Sequence, residues 1–321
     1  MDIIVMHRPT EKVSLKIKQE HIDAMKKYAD NVHWFETEEE LLASGADAEV
    51  IFCWGGTGTP PETWCCQSKR LKWLNTFSAG VDPLVKSKIA DLPITVTNAK
   101  GVQGRPMALT TMGYCIAHLR GFEQLRNQQK EHVFKKVVGQ EAVGKTLGIV
   151  GVGAIGKHVA KFAKFLGFKV IGVDVFTDPV ENVDEMYPTS DLDKALAIMD
   201  FVVILIPFTE KTRHLINADR FAAMKKGAYF INIARGGVVD TDALVSALQS
   251  GHLSGCAIDA IEPDALPPGH PLWDIPNVTL SSHCSATSPF TVDIAVEQFC
   301  DNIENFKSGK PMFNVVDLKS M

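Results

Sequence analysis

The chain has 321 residues, of which 45% are hydrophobic and 22% are charged, and its formal net charge is −5. These values are ordinary for a globular protein, and without a block of Lys or Arg they argue against nucleic acid and membranes as partners. No apolar run approaches the roughly 18–20 residues of a membrane-spanning helix, and no signal peptide is recognisable. Seven cysteines without framework or metal-site spacing indicate reduced thiols, so we expect a cytoplasmic protein that holds no metal.

Short apolar runs alternate with helix patterns through the first hundred residues. Helix patterns occur at 18–29 and 37–44. Near-continuous apolar runs are typical of strands that are buried on both faces of a parallel sheet. The strands predicted in this part of the chain are 2–7, 49–54, 72–77 and 94–99.

A second series of apolar runs follows after residue 144. Its predicted strands are 145–150, 168–174, 200–206, 228–233, 255–260 and 277–281. Helix patterns between them, such as 241–253, complete repeated strand–helix–strand units. We therefore predict an α/β protein with two doubly wound, Rossmann-like parallel-sheet domains.

Helical segments connect the two halves. The segment 104–135 has the pattern of one long helix or of a broken pair, and a last helix, about 288–307, follows the second series. We expect this last helix to return the chain to the first half. The predicted domains are then 1–99 plus 288–321, and 100–287, and two crossings between them predict a hinged cleft.

Three glycines after the first strand of the second series form the pattern G-x-G-x-x-G. Gly151 allows a tight turn, Gly153 lets the backbone approach a pyrophosphate, and Gly156 lets helix and strand pack closely. The following helix presents free N–H groups to the phosphates. Asp174 ends the next strand, where a carboxylate accepts hydrogen bonds from ribose hydroxyls, and no Lys or Arg follows in 175–185. The pattern predicts NAD rather than NADP.

Charged side chains follow three consecutive strands of the second series. Arg235 comes just after the first of these strands, and its guanidinium can hold a carboxylate. His283 follows the third and can move a proton near neutral pH. Between them come three acids, Asp259, Glu262 and Asp264. Because ligands bind at the carboxyl edge of such sheets, this constellation predicts hydride-transfer chemistry on a carboxylate substrate.

At this point the chain resembles the D-isomer-specific, NAD-dependent 2-hydroxyacid dehydrogenases nearly end to end. The resemblance implies a flavodoxin-like substrate domain, an NAD domain, and an active site in the interdomain cleft. It also implies interconversion of a small 2-oxo acid and its (R)-2-hydroxy acid, in a homodimer built through the segment 104–135. The motifs that carry it are TFSAGVD (76–82), VGVGAIG (150–156), ILIPFTEKTRHLIN (204–217), INIARGGVVD (231–240), AIDAIEPDALPPGHPLW (257–273) and SSHCSAT (281–287).

The same resemblance assigns roles residue by residue. Arg235 is implied to bind and polarise the substrate, His283 to act as acid and base, and Asp264 to pair with His283, while Glu262 is expected to be solvated. Trp54 and Gly55 end a predicted strand and either line the substrate side or pack in the core. The backbone N–H groups of Ala79 and Gly80 are implied to bind the substrate carboxylate. The implied cofactor contacts are Gly151, Gly153, Ala154, Ile155, Gly156, Asp174, Pro207, Ala234 and Asp259.

Two positions depart from the family pattern. Asp264 stands where relatives carry a catalytic Glu, and Leu109 stands where many carry a Glu at the start of the interdomain helix. A shorter acid weakens the pair with His283 unless the loop lies closer or a water bridges it. These departures leave open a family member with weak turnover, and an NAD-sensing regulator of the same fold is the alternative from another functional class.

Overall fold

A computed structural model describes residues 1–7, 16–53, 60–263 and 265–320. The chain divides into two compact units. The first unit comprises Met1–Gln103 and Thr287–Met321, and the second comprises Gly104–Ala286.

Strands and helices alternate along both units. The strands are β1 Asp2–Met6, β2 Asn31–Phe35, β3 Val50–Cys53, β4 Trp73–Thr76, β5 Thr95–Thr97, β6 Thr146–Val150, β7 Lys169–Asp174, β8 Glu185–Pro188, β9 Phe201–Ile204, β10 Tyr229–Asn232, β11 Gly255–Ile258 and β12 Val278–Leu280. The helices are α1 Gln19–Lys26, α2 Glu38–Ser44, α3 Glu62–Gln67, α4 Asp82–Val85, α5 Gly104–Leu119, α6 Phe122–Lys130, α7 Ala154–Phe165, α8 Leu192–Leu196, α9 Ala218–Ala223, α10 Thr241–Gln249 and α11 Thr291–Ser308.

The first unit is built on a parallel sheet with the strand order β2-β1-β3-β4-β5. Successive side chains of a strand point to opposite faces, so β1 serves two cores. Ile3 and Val5 pack with α1 and with Phe299 of α11, whereas Ile4 packs on the other face with Leu41 of α2. The order is the flavodoxin-like one, with a reversal of strand order between β1 and β3.

The second unit is built on a parallel sheet with the order β12-β11-β10-β9-β6-β7-β8. Val203 packs on the face covered by α5 and α7, whereas Val202 packs on the face covered by α8, α9 and α10. The strand order reverses between β6 and β9, where the Rossmann fold binds its dinucleotide. These two parallel sheets confirm the predicted α/β class.

Ten strands lie where the sequence predicts them, and two edge strands were missed. The missed strands are β2 and β8, at one outer edge of each sheet. Neither has a fully buried residue. Both are partly solvated, and their sequences, NVHWF and EMYP, lack the continuous apolar run that identified the other strands.

The segment predicted as one helix or a broken pair is a broken pair. The chain leaves α5 after Leu119, and α6 begins at Phe122. Gly121 stands between them with φ of 66°, a left-handed conformation that glycine adopts without a steric penalty. The two helices therefore do not form one continuous rod.

Candidate active site

The glycine motif lies at the switch point of the seven-stranded sheet. Gly151 has φ of 102°, and a Cβ on Gly156 would lie 2.5 Å from the Gly151 carbonyl oxygen. Gly153 differs, because a Cβ there would meet no atom within 4 Å. The chain thus requires glycine at 151 and 156 for its own packing. The open space beside Gly153 and the start of α7, at Ala154 and Ile155, fits a pyrophosphate.

Asp174 closes the neighbouring strand β7 and is bonded to main-chain groups around it. Its Oδ2 accepts from the Val152 N–H at 2.7 Å, and its Oδ1 accepts from the N–H groups of Val175 at 2.7 Å and Phe176 at 3.3 Å. The carboxylate is thereby fixed beside the glycine motif, where a ribose diol meets it in folds of this kind.

Arg235 follows β10 and is held by a buried asparagine. The Asn232 side chain, 1% exposed, donates to the carbonyl oxygens of Arg235 at 3.1 Å and Ala260 at 2.8 Å, and accepts from the Ala234 N–H at 3.1 Å. The Arg235 guanidinium donates to the Ala234 carbonyl at 2.8 Å. Asn232 therefore ties the loops after β10 and β11 together, a role that the sequence analysis missed.

Asp259 follows β11 and is directed at the loop that carries His283. The carboxylate, only 4% exposed, accepts from the Ser281 hydroxyl at 2.6 Å and from the Cys284 N–H at 2.9 Å. The Ser285 N–H reaches both of its oxygens, at 3.2 and 3.1 Å. These bonds compensate a buried charge and fix the loop.

His283 is exposed, and its backbone has φ of 54°, a left-handed conformation. This conformation costs a non-glycine residue roughly 1–2 kcal/mol. The His283 N–H donates to the Asp259 carbonyl at 3.0 Å, which helps to hold it. Main chain and side chain of Asp259 together thus present the imidazole at the sheet edge.

Glu262 is exposed, and it also has charged neighbours that the sequence did not indicate. Its Oε1 lies 3.5 Å from Arg213 Nη1 and its Oε2 lies 3.3 Å from His214 Nε2, both in the loop after β9. The Arg213 guanidinium also lies 5.0 Å from the centroid of the Phe208 ring. A Cβ on Gly237 would lie 2.6 Å from that ring. The loops after β9, β10 and β11 are therefore packed and ion-paired as one group.

Pro207 lies in the loop after β9, and the side chain of Thr212 holds its carbonyl group. The Thr212 hydroxyl donates to the Pro207 carbonyl at 2.8 Å and accepts from the Thr209 N–H at 2.7 Å. This loop and the Ala234 loop follow neighbouring strands, which places both implied cofactor contacts at the same sheet edge.

The loop after β4, in the first unit, presents main-chain groups. The Ser78 carbonyl accepts from the Thr76 hydroxyl at 2.7 Å, and the Ala79 carbonyl accepts from Asn98 Nδ2 at 2.7 Å. Within the described ranges, the N–H groups of Ala79 and Gly80 donate to no protein acceptor. They are the kind of groups that bind a carboxylate.

Three residues singled out in the sequence lie outside the described part of the chain: Trp54, Gly55 and Asp264. Leu109, the second departure from the family pattern, is 56% exposed on α5. All seven cysteines are free, which agrees with the predicted thiols.

One group among the described residues has metal-ligand chemistry. It consists of Glu20, His21 and Asp293. The His21 Nδ1 accepts from the Lys18 N–H at 3.0 Å, and its Nε2 lies 2.7 Å from Asp293 Oδ1. Both ring nitrogens are thus engaged, so the cluster is explained as a link between α1 and α11.

The polar residues that fix these loops carry weak sequence signals. Asn232 ends a buried apolar run, and a polar residue in that position is the one signal that was available. Ser281 and Tyr114 gave none, because their partners are far away in the sequence: the Tyr114 hydroxyl lies 2.8 Å from the Ser281 hydroxyl.

Comparison with known proteins gives one consistent family. Residues 112–285 match the family described as D-isomer specific 2-hydroxyacid dehydrogenase, NAD binding domain. A glyoxylate reductase of Thermofilum pendens is 34% identical over 295 residues, covering 88% of this chain and 87% of its own. A glycerate dehydrogenase of Methylorubrum extorquens is 32% identical over 257 residues, covering 77% and 79%.

Solved structures agree with these sequence matches. The D-isomer specific 2-hydroxyacid dehydrogenase from Xanthobacter autotrophicus Py2, in complex with NADPH and MES, superposes with a TM-score of 0.82 at 29% identity, covering 99% of this chain and 98% of that one. No helix in the described ranges has the length and apolar content to cross a bilayer.

Proposed function

Because the chain belongs to the D-isomer-specific 2-hydroxyacid dehydrogenase family, we propose that it interconverts a small 2-oxo acid and the (R)-2-hydroxy acid with NAD(H). The family is one of oxidoreductases, and its cofactor is NAD(P). The observation that carries the proposal is the set of side chains at the carboxyl edge of β10, β11 and β12. Arg235, Asp259 and His283 follow these neighbouring strands, in the same sheet as the glycine motif.

In the proposed reaction Arg235 stabilises charge and His283 transfers the proton. Bound NAD(P)H supplies the hydride. The Arg235 guanidinium binds the substrate carboxylate and stabilises the negative charge that develops on the 2-oxo oxygen. In reduction, protonated His283 donates its proton to that oxygen, and in oxidation neutral His283 removes the hydroxyl proton.

Asp264 is proposed as the carboxylate partner of His283. The proposal rests on its position in the family motif, five residues after Asp259. A carboxylate beside an imidazole stabilises the protonated ring and fixes its orientation. The pairing of Glu262 with Arg213 and His214 supports this choice, since that neighbouring acid already has partners.

We propose NAD rather than NADP as the preferred cofactor. Asp174 supports it, because a carboxylate fixed beside the glycine motif accepts bonds from a ribose diol and repels a 2′-phosphate. Asp174→Ala is expected to lower kcat/KM for NADH about 10-fold and to change kcat/KM for NADPH little or raise it.

The substrate carboxylate is proposed to meet the N–H groups of Ala79 and Gly80 as well as Arg235, with Trp54 and Gly55 near the substrate.

We further propose a cytoplasmic homodimer. Exposed apolar side chains on and after α6 support the dimer, namely Phe122, Leu125, Phe134, Val138 and Val143. Free thiols agree with a reducing compartment. Light scattering tests the dimer, and a monomer at micromolar concentration would contradict it.

Turnover of a panel of 2-oxo acids tests the activity. The panel is offered with NADH and, separately, with NADPH between pH 5 and 8. It contains glyoxylate, hydroxypyruvate, pyruvate, branched and aromatic acids and 2-oxoglutarate. The expected result is turnover of a small acid, with NADH preferred. NADH binding without turnover of any acid would instead favour the NAD-sensing regulator.

A further inference from the structure

The loop that carries His283 is held from two sides. On one side Asp259 accepts from Ser281, Cys284 and Ser285, as described above. On the other side lies α5, where Thr110 and Tyr114 stand one turn apart and face the same direction. The Thr110 hydroxyl donates to the Ser285 carbonyl at 3.1 Å, and the Tyr114 hydroxyl lies 2.8 Å from Ser281 Oγ.

The direction of the hydrogen bonds follows from proton counting. Ser281 has one hydroxyl proton, and it donates that proton to the Asp259 carboxylate at 2.6 Å. The Tyr114 hydroxyl must therefore be the donor to Ser281. Burial raises the pKa of Tyr114, so it remains a protonated donor throughout the neutral range.

We propose that Tyr114 is a positioning residue for the reaction, acting through Ser281 and Asp259 on the loop that presents His283. The inference rests on the proposed function of His283 and adds a residue to it. A chain of polarised hydrogen bonds from tyrosine to serine to carboxylate strengthens each of its members. Loss of the first donor removes a restraint on the Ser281 side chain and so on the orientation of the Asp259 carboxylate. The Cys284 and Ser285 N–H groups and the left-handed backbone of His283 depend on that orientation.

Tyr114→Phe tests the proposal, because it removes only the hydroxyl. We expect kcat to fall about 3–10-fold, with the KM for the acid and the Kd for NADH changed less than about 2-fold. Ser281→Ala is expected to lower kcat further, about 10–30-fold. The double variant is expected to match Ser281→Ala alone, because Tyr114 acts only through Ser281.

Tyr187→Phe is the matched control. Its hydroxyl donates to Glu185 at 2.6 Å on β8, at the edge of the same sheet opposite β12. This variant is expected to keep the parent kcat. A merely structural role of Tyr114 would lower the unfolding midpoint and leave kcat of the folded enzyme unchanged, and that result would overturn the proposal.

Amide hydrogen exchange of the loop provides a readout that needs no turnover. The Cys284 and Ser285 amides are expected to exchange about 10-fold faster in Tyr114→Phe and unchanged in Tyr187→Phe. Unchanged amide exchange in Tyr114→Phe would contradict the proposal. So would a fall in kcat of the double variant that equals the product of the falls in the two single variants. Faster exchange in a chain that reduces no 2-oxo acid would remove the proposed activity and leave the anchoring of the loop by Tyr114 supported.

Discussion

The carboxyl edges of the two sheets hold their candidate residues in opposite ways. At the seven-stranded sheet, charged side chains face the edge, and main-chain N–H groups hold Asp259 in place. At the five-stranded sheet, main-chain N–H groups of Ala79 and Gly80 face the edge, and the side chains of Thr76 and Asn98 hold the loop. In the proposed function, the first edge moves protons and charge, whereas the second binds an anion without adding a titrating group.

Removal of the His283 imidazole is the most direct test of the proton transfer proposed for the edge of the seven-stranded sheet. In His283→Asn we expect kcat to fall about 10³-fold, because proton transfer by a positioned side chain typically contributes 10²–10⁴-fold. The Kd for NADH is expected to stay within about 2-fold of the parent value. Steady-state kinetics with the best acid of the panel and fluorescence titration of NADH measure the two quantities.

Asparagine is the suitable replacement because it tolerates the left-handed backbone at position 283. His132→Asn is the matched control, since His132 is also exposed and has φ of 55°. A parent-like rate in the control, together with a fall of less than about 10-fold in His283→Asn, would exclude His283 as the acid and base.

Substitution of two glycines of the same motif is expected to separate an effect on NADH affinity from an effect on stability. Gly153→Ala places a methyl group in the open space where we place the pyrophosphate, so the Kd for NADH is expected to rise about 10–100-fold at unchanged stability. Gly156→Ala drives a methyl group against the Gly151 carbonyl and is expected to cost about 1–3 kcal/mol of unfolding free energy. Urea unfolding and NADH titration of both variants are the measurements. A Gly153→Ala variant that binds NADH as the parent does would remove the pyrophosphate from this loop.

The other edge is tested through a side chain that orients a peptide plane. The Ala79 carbonyl and the Gly80 N–H belong to one planar peptide, so Asn98, bonded to the carbonyl, also directs the N–H. In Asn98→Ala we expect the KM for the acid to rise about 10-fold and kcat to change less than about 3-fold. Asn31→Ala, whose amide binds Asp2 at the opposite edge of that sheet, should match the parent. A fall in kcat at constant KM would argue against a role in substrate binding.

The comparison also explains how far the sequence could predict this molecule. Strands buried on both faces leave continuous apolar runs, and the glycine motif requires fixed spacing, so both are visible in one chain read alone. The side chains of Asn232, Ser281 and Tyr114 act through partners that folding brings together from distant parts of the chain. The ion pair of Glu262 was missed for the same reason, since its partner Arg213 lies 49 positions earlier in the sequence. Local pattern identifies the groups at the sheet edge and gives little information about what holds them.

A second imidazole of the same unit, that of His118, differs from the exposed His283 in its environment. Burial, aided by the charge of Lys145, lowers the pKa of His118 to about 4. Its ring stacks on Tyr229 with centroids 4.1 Å apart, and Nε2 lies 3.2 Å from the Ser254 hydroxyl. A ring of this kind is neutral in the folded chain and supports no proton transfer near neutral pH.

The sign of its effect on stability follows from linkage. The unfolded chain binds a proton at His118 near pH 6.5 and the folded chain only near pH 4, so this contribution is complete above pH 6.5 and is lost as the pH falls through that window. Because the ring is partly exposed, we expect a loss of about 1 kcal/mol between pH 7 and pH 5. His118→Phe keeps the stacking on Tyr229 and removes the titration. Urea unfolding at both pH values should show the variant losing about 1 kcal/mol less than the parent, and equal losses would place the proton elsewhere.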